Sequence, residues 1–221
     1  MFFCLLCSFS FAIVEKTNAQ EGMITVREKL TVGCLLMAAG NASRFGENKL
    51  TARFDGQSLF SRALEAIPAG VFVRVTVVSQ YPSLLEEASQ AGFDAILNDR
   101  PEDGISRTIR LGTRAMADCA GILYMVADQP LLQPNSVCAV AERWLREPDT
   151  ICGAAHNGVR GNPCIFPARF FPELTALEGD HGGSAVIRRH EDALALFEVS
   201  PDELRDVDTP MALAALRDTL A

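Results

Sequence analysis

The sequence predicts a single Rossmann-like α/β domain, in which a mostly parallel but mixed sheet lies between two layers of helices. Two observations support this fold class. Apolar runs of strand length alternate with runs of helical periodicity along most of the chain, as in strand–helix–strand units. The 221 residues, 48% of them hydrophobic and 22% charged, suffice for one domain with a full core, and no linker-like stretch divides them.

The predicted strands are short and apolar. The segment 71–78 is the clearest, because it is rich in β-branched residues and the turn-forming sequence 79–82 follows it. The segments 32–37 and 121–127 are continuous apolar runs, which indicates strands buried on both faces. In chain order, strands are expected at 32–37, 71–78, 94–97, 121–127, 150–155, 163–166 and 195–199.

The predicted helices have recognisable ends. A helix at 83–91 stops before Gly92, which suits the left-handed residue that follows many helices. Helices at 134–146 and 210–220 begin with proline, which the first turn of a helix accepts because no N–H partner is needed there. The full expected set is 58–67, 83–91, 105–116, 134–146, 168–177, 184–190 and 210–220.

The first 22 residues are distinct from the domain, which is assigned to 23–221. Residues 2–14 form an apolar run of signal-peptide length, but no lysine or arginine precedes it, and it is too short for a comfortable membrane span. Met23 offers an alternative start. We expect 1–22 to be a mis-assigned start or a disordered extension, with a genuine signal or anchor as the alternative, and no membrane partner.

Charge and cysteine content exclude several classes of protein. The net charge of −8 argues against a nucleic-acid partner, since surfaces that bind nucleic acid are basic. A small anionic substrate is compatible with it, because a few local cations can serve one such molecule. The seven cysteines are scattered without the spacing of a zinc site, which predicts free thiols in a reducing compartment.

The most informative segment follows the first predicted strand. Ala38, Ala39 and Gly40 place almost nothing between the backbone and a ligand, and Arg44 and Lys49 add positive charge on the same loop. Small residues and two cations at the carboxyl end of a strand predict a cradle for a polyphosphate. The spacing fits neither the P-loop nor the dinucleotide-binding motif. A plain strand-to-helix loop with surface charges is the alternative.

One aspartate at the end of a predicted strand is a candidate for a divalent metal site. Asp128 ends an apolar strand, where a carboxylate needs a partner, and a cation that bridges it to phosphates would be one. Asp208 precedes Thr209 and Pro210 near the C-terminus. Both aspartates could instead mark the start of a helix.

Binding residues are expected to converge at one edge of the sheet. Ligands of such sheets lie beyond the carboxyl ends of the strands, where the loop 38–49, the loop 98–107 and Asp128 all fall. In the second loop, Gly104 and Ser106 lie near a helix N-terminus, whose free N–H groups bind anions. A simple serine N-cap is the alternative for that position.

Taken in order, these elements resemble the MobA-like NTP transferase family of nucleotidyltransferases. The loop is similar to the family pattern L-A-A-G-x-S-x-R-M-G-x-x-K, from which Met37, Ala42 and Phe45 depart. The segments 128–130 and 206–210 resemble the family's Asp-x-Pro and D-I-D-T-P elements. Further similar stretches lie at 98–112, 161–166 and 179–183.

The resemblance implies a role for each matching residue. Catalysis would depend on Arg44, Lys49 and Asp128, and Asp128 and Asp208 would hold Mg²⁺. The acceptor would contact Asn162, Asp180 and Gly182. The nucleotide would contact Met37, Ala38, Ala39, Gly40, Gly46, Lys49, Asn98, Gly104 and Ser106.

The activity that the resemblance implies is transfer of a nucleoside monophosphate from an NTP to a phosphorylated acceptor, with release of pyrophosphate. The Ala-Ala-Gly form of the loop resembles the molybdenum cofactor cytidylyltransferase branch, which implies CTP as donor and a molybdopterin-type acceptor. Other cytidylyl-, guanylyl- and sugar-phosphate nucleotidyltransferases stay open as alternatives. So does a non-catalytic nucleotide- or cofactor-binding module for molybdenum hydroxylase maturation, with the apoenzyme or a chaperone as partner. Dependence on NTP implies a cytoplasmic protein.

Overall fold

The computed structural model describes residues 30–40, 45 and 48–220. The extension expected at 1–22 lies outside the described residues. The strands are β1 (Val32–Ala38), β2 (Arg53–Phe54), β3 (Gln57–Ser58), β4 (Arg74–Ser79), β5 (Asp94–Leu97), β6 (Gly121–Val126), β7 (Ile151–His156), β8 (Val159–Pro167) and β9 (Leu194–Glu198). The α-helices are α1 (Leu59–Glu65), α2 (Pro82–Gln90), α3 (Ile105–Ala115), α4 (Pro134–Arg146), α5 (Phe171–Thr175), α6 (Gly183–Ile187) and α7 (Pro210–Leu220).

Seven of these strands form one mixed sheet in the order β5-β4-β1-β6-β8-β7-β9. The first four are parallel to one another, and β7 and β9 are also parallel to each other. Only β8 is reversed, because it runs antiparallel to both β6 and β7. The predicted mostly parallel, mixed sheet is confirmed.

Helices cover both faces of the sheet. Side chains alternate along β1, so that Cys34 and Leu36 join one buried cluster while Leu35 joins the other. The first cluster also takes the inner faces of α1, α2 and α4, and the second those of α3, α5 and α6. The protein therefore has the three layers that the alternating sequence pattern predicts.

The hairpin of β2 and β3 was missed by the sequence prediction. Each strand has only two residues, which is too short for an alternating pattern to be recognised. Its turn is nevertheless marked by Asp55 and Gly56, which adopt φ values of 51° and 84°. Asp-Gly at two positive φ values is the usual sequence of a tight hairpin turn, and this signal was available.

A third, smaller cluster joins the C-terminal helix to this hairpin. Val207, Leu213 and Leu216 pack with Phe54 and Leu59, and all five are buried. The residues just before α7 are therefore held against the body of the domain.

The other predicted elements are present with shifted ends. β8 is longer than the expected 163–166, and α6 ends three residues before the expected 190. The helix expected at 168–177 is divided into a 3-10 turn, Ala168–Phe170, and α5. Pro172 in the first turn of α5 accounts for this break, since proline cannot donate the hydrogen bond that would continue the preceding turn.

The described cysteines are free thiols, as predicted. Cys34, Cys119, Cys152 and Cys164 are buried, and burial raises the pKa of each thiol, which makes all four unreactive packing residues. Among the residues that the structure describes, no helix has the length and apolar character needed to cross a membrane.

The contact between α3 and β1 gives a test of the fold. A Cβ atom at Gly112 would lie 2.3 Å from Leu35 Cδ1, and Leu35 is fully buried. We expect Gly112→Ala to lower the free energy of unfolding by about 1–2 kcal/mol, because overpacking outweighs the better helix propensity of alanine. Urea denaturation measures this change. Arg114→Ala, on the exposed side of the same helix, is the control, and an equally stable Gly112→Ala protein would contradict the packing described here.

Candidate active site

A pocket of about 370 Å³ opens beyond the carboxyl ends of β1 and β6. It brings together the three features that were expected to converge: the small-residue loop, the start of α3 and the end of β6. Its wall consists of Met37, Ala38, Ala39, Gly40, Lys49, Leu50, Pro101, Gly104, Ile105, Thr108, Val126, Ala127, Asp128 and Asp180. Arg44 and Gly46, the other two predicted residues of the loop, lie outside the described residues.

The end of β4 fixes the backbone of the small-residue loop. Ser79 Oγ donates to the Ala38 carbonyl at 2.8 Å, and Gln80 Nε2 donates to the Ala39 carbonyl at 2.9 Å. A Cβ atom at Gly40 would meet none of the described residues within 4 Å, so packing against that part of the chain does not explain the glycine. Neither Ser79, the last residue of β4, nor Gln80, which follows it, was predicted as a site residue. Their position at a strand end beside the loop was the available signal.

Lys49 begins a 3-10 turn, Lys49–Thr51, whose neighbours fix its position. Asn48 Oδ1 accepts a hydrogen bond from the Leu50 amide at 3.1 Å, and Leu50 is buried in the core. The ammonium donates to Asp128 Oδ2 at 2.6 Å and to Asp208 Oδ1 at 2.8 Å. One cation is thus held between two carboxylates that are 79 and 159 residues away in sequence.

A backbone hydrogen bond brings the two carboxylates together. The Val207 amide donates to the Asp128 carbonyl at 2.9 Å. Val207 is buried, and side chains alternate along an extended segment. The side chains of its two neighbours, Asp206 and Asp208, therefore lie on the opposite face, which is the face toward Asp128. Gln133 adds a second link, because its amide donates to Glu203 Oε2 at 3.0 Å.

Neither aspartate serves as a helix cap, which was the alternative open to both. The residue that precedes α4 is Gln133, and Asp128 lies five positions before it. At the start of α7, Thr209 Oγ1 accepts from the Ala212 amide at 3.1 Å. The carboxylates of Asp128 and Asp208 face Lys49 instead.

Lys49 stays charged in this setting. Burial acts to lower its pKa, but the charge of Asp128 and the hydrogen bonds that the ammonium donates to both carboxylates outweigh burial, so the pKa is raised above its ordinary value. The side chains of Lys49 and Asp128 are only 14% and 20% exposed, whereas that of Asp208 is 59% exposed. The cluster is therefore sheltered at Asp128 and open to solvent at Asp208.

The residues present fit a divalent cation. Asp128 Oδ1 is buried and accepts no hydrogen bond from the described residues, which leaves one carboxylate oxygen uncommitted. No group of three or more His, Cys, Asp and Glu side chains in the described chain could hold a metal alone. A metal at Asp128 and Asp208 would need further oxygens from phosphates and water, as Mg²⁺ sites in nucleotide enzymes commonly do.

The start of α3 forms the opposite wall of the pocket. Gly104 precedes the helix with φ 78°, and a Cβ atom there would lie 2.4 Å from the Gly179 backbone and 2.6 Å from Asp180 Oδ1. The Ser106 amide donates to the Gly179 carbonyl at 3.1 Å. Only glycine allows this close approach of the two segments at position 104.

Asn98 and Ser106 lie behind the pocket wall. Asn98 is 1% exposed, and its side chain holds the loop through Thr108 Oγ1, the Arg100 amide and Arg107 Nε, each at 3.2 Å. Ser106 Oγ donates to the Asp103 carbonyl at 3.2 Å and does not cap α3. The predicted contacts of both residues with a nucleotide stay predictions. Thr108 and Ile105, which were not predicted, line the pocket.

The residues expected to bind an acceptor occupy two places. Asn162 and Gly182 line a small cavity of about 110 Å³, which shares Met37, Ile105 and Val126 with the main pocket. Asn162 also lines an outer groove of about 560 Å³. Asp180 lies instead on the wall of the main pocket, beside Gly104.

Comparison with known proteins identifies the family and the fold of this chain. Over residues 34–194, the chain matches the sequence model of the MobA-like NTP transferase domain. The chain belongs to the MobA-like NTP transferase family. It is also 27% identical over 205 residues to the purine catabolism protein PucB of Bacillus subtilis (strain 168), a match that covers 84% of this chain and 95% of that protein.

Two solved structures share the fold of this NTP transferase domain. The first is Rv0371c of Mycobacterium tuberculosis H37Rv in complex with manganese, at 19% identity and a TM-score of 0.66, covering 86% of this chain and 99% of that one. The second is CMP:2-keto-3-deoxy-manno-octonic acid synthetase complexed with CTP, at 13% identity and a TM-score of 0.68, covering 86% and 98%. These likenesses show the nucleotidyltransferase fold.

The position of Lys49 in this NTP transferase domain gives a test with metal alone. Its ammonium lies between the two carboxylates. Removal of the ammonium should therefore make both carboxylates available to bind a divalent cation. We expect Lys49→Met to bind Mn²⁺ without nucleotide about tenfold more tightly than the wild-type chain, a change of about 1.4 kcal/mol. Electron paramagnetic resonance of free Mn²⁺ measures it. The double variant Lys49→Met/Asp128→Asn should lose the gain, and unchanged Mn²⁺ affinity in the single variant would contradict the arrangement.

Asp206 gives a pH-dependent test. Loss of solvent around its carboxyl and the charges of Asp128 and Asp208 raise the pKa of Asp206 to about 6, from an ordinary value of 3.8. The folded state disfavours the charged form, so stability is lost as pH rises between these two values and the loss is complete above about 6. Asp206→Asn should therefore melt at a higher temperature than the wild-type chain at about pH 7.5. The difference between the two melting temperatures should be smaller at about pH 4.5.

Thermal melts with a chelator present measure this gap without interference from metals. Asp192→Asn, at an exposed position before β9, is the matched control and should show no such pH-dependent difference. A gap for Asp206→Asn that stays constant with pH would contradict the raised pKa.

Proposed function

We propose that this NTP transferase moves a nucleoside monophosphate, from CTP in preference to other NTPs, onto the phosphate of a molybdopterin-type acceptor and releases pyrophosphate. The observation that carries the proposal is the Lys49–Asp128–Asp208 cluster at the wall of a pocket built from small residues. It supplies a fixed cation and two carboxylates suited to a metal, where the loop 38–40 lets a polyphosphate approach the backbone.

The proposed reaction forms one bond and breaks one. An acceptor phosphate oxygen attacks the α-phosphorus, and the bond to the bridging oxygen breaks, so that pyrophosphate leaves with the electron pair. The attacking phosphate is already an anion, so no general base is required. This agrees with the described part of the pocket wall, which contains no histidine or cysteine.

The chain's own residues position and neutralise charge. Lys49 would donate to triphosphate oxygens, and a raised pKa keeps it charged at neutral pH. Asp128 and Asp208 would hold the divalent cation, which when bound neutralises phosphate charge and polarises the α-phosphoryl group. The predicted catalytic role of Arg44 is part of the proposal, as is the choice of Mg²⁺ as the metal.

The choice of nucleotide is supported by the pocket and by one structural neighbour. Ala39 is 7% exposed and lies in the pocket wall with its carbonyl held by Gln80, so its methyl group reduces the space that a glycine would leave beside a base. A smaller space favours a pyrimidine over a purine. The structural neighbour complexed with CTP agrees with this preference.

The choice of acceptor and partner draws on the similarity to a purine catabolism protein. We infer that the product serves a molybdenum hydroxylase, with its apoenzyme or chaperone as the receiving partner. A module that binds nucleotide or cofactor without turnover is the competing function. It is disfavoured because the Lys49–Asp128 pair, which would neutralise charge at the reacting phosphates, is intact.

Pyrophosphate release separates these functions. The full chain is incubated with each of CTP, GTP, ATP and UTP, Mg²⁺ and molybdenum cofactor, and we expect release with CTP at least about tenfold above the other three. Lys49→Ala and Asp128→Ala should each lower the rate by about a hundredfold or more, since both remove charge stabilisation at the reacting phosphates. Asp118→Ala, at an exposed site paired with Arg74, should leave the rate unchanged.

Two outcomes would contradict the proposal. Tight nucleotide binding with no pyrophosphate in any pairing would establish the non-catalytic module. A rate unaffected by Lys49→Ala in a protein that melts like the wild type would place the reaction elsewhere.

A further inference from the structure

Arg160 is a half-buried cation that the proposed reaction has not yet used. It lies on β8, the reversed strand, at the junction of two spaces. On one side is the small cavity of about 110 Å³, which shares part of its wall with the nucleotide pocket. On the other is the outer groove of about 560 Å³.

The contacts of Arg160 are all with neutral groups. Nη2 donates to Ser184 Oγ at 2.7 Å, and Nη1 lies 3.7 Å from Cys164 Sγ. Burial raises the pKa of the Cys164 thiol, so that its sulfur carries no charge. No ion pair of Arg160 is found within the described residues, although Asp206 lines the same groove. A guanidinium that is half-buried without a counter-ion suits an anionic ligand.

A shift in the register between β7 and β8 orients Arg160 toward the groove. Gly153 pairs with Cys164 and Ala155 pairs with Arg160, so two steps along β7 face four steps along β8. The extra residues include Asn162, which lines both spaces together with Arg160 and Ser184. Bulges of this kind redirect side chains and occur next to active sites.

We propose that Arg160 is the specificity-determining residue for the acceptor, and that it binds the phosphate of a phosphate monoester in the small cavity. This inference rests on the proposed transfer reaction, in which the acceptor phosphate is the attacking group. The cavity shares Met37, Ile105 and Val126 with the nucleotide pocket, so a phosphate held there faces the donor. Its floor includes Tyr124 and Phe166, which leaves the guanidinium as its cation.

The groove also determines the kind of molecule that carries the phosphate. Gln129 lies in the groove wall, and its Nε2 donates to the Leu204 carbonyl at 3.3 Å, while its Oε1 is buried without a hydrogen-bond partner among the described residues. An acceptor oxygen without a donor favours a ligand with an N–H or O–H group. The groove therefore suits a polar phosphate monoester in preference to a lipid or an apolar one.

The test compares two charge-matched variants, Arg160→Gln and Arg188→Gln. Arg188 is exposed at the end of α6, the helix that carries Ser184, and it is not part of either space. Glycerol 3-phosphate, a polar phosphate monoester with hydroxyl donors, is the probe, and calorimetry measures its binding without any turnover. We expect Arg160→Gln to weaken its binding about tenfold or more and Arg188→Gln to leave it unchanged, because hydrogen bonds between charged groups are the strong ones.

A kinetic measurement distinguishes substrate recognition from a structural role. With the donor and acceptor that support turnover, Arg160→Gln should raise the KM for the acceptor about tenfold and leave the KM for the NTP within about twofold. Arg160→Lys, which retains the charge, should recover part of the loss. Thermal melts establish that each variant is folded.

The binding arm keeps this inference separate from the transfer reaction. If no turnover is found but probe binding depends on Arg160, the transfer reaction fails while the phosphate site stands. Probe binding that is lost in Lys49→Ala and kept in Arg160→Gln would belong to the nucleotide pocket and overturn the inference. Equal rises in both KM values would also overturn it.

Discussion

The crowding of three carboxylates beyond the end of β6 is the constraint on which the site depends. Asp128, Asp206 and Asp208 repel one another, and this repulsion contributes to the raised pKa of Asp206. Lys49 balances part of the charge, and the backbone bond between Val207 and Asp128 keeps the groups from separating. The same crowding makes the site receptive to a divalent cation, because an excess of negative charge is already assembled there.

Much of the fold could be predicted because its signals are local. Continuous apolar runs identified β1 and β6, and Pro134 and Pro210 identified the starts of α4 and α7 within a residue. The hairpin of β2 and β3 was not predicted because strands of two residues are too short to show an alternating apolar pattern. The start of α5 depended on how Pro172 interrupts the preceding turn, which is an effect of one residue on its neighbours and leaves the apolar pattern unaltered.

The site could be predicted only in part, for a related reason. Loop composition and strand ends indicated Lys49, Asp128 and the small-residue loop, and the structure brings them together. Side-chain contacts between distant parts of the chain have no local sequence signal. The burial of Asn98 follows from three hydrogen bonds, two of them to residues on α3. The position of Asp180 follows from its close approach to Gly104. Arg160 was not predicted as a site residue. Its position between the two spaces depends on the reversed direction of β8 and on the irregular pairing of β8 with β7.

The burial of Val207 links the site to the far end of the chain. Val207 packs with Leu213 and Leu216 of α7, so the last helix acts as an anchor for the two aspartates that precede it. The seven-stranded sheet is complete before α7 begins, and the buried side chains of α7 pack with Phe54 and Leu59, which lie outside that sheet. Damage to the C-terminal segment would therefore spare the architecture and disturb the carboxylates, so that truncation or proteolysis at this end would produce a well-folded protein whose defect resembles an active-site mutation.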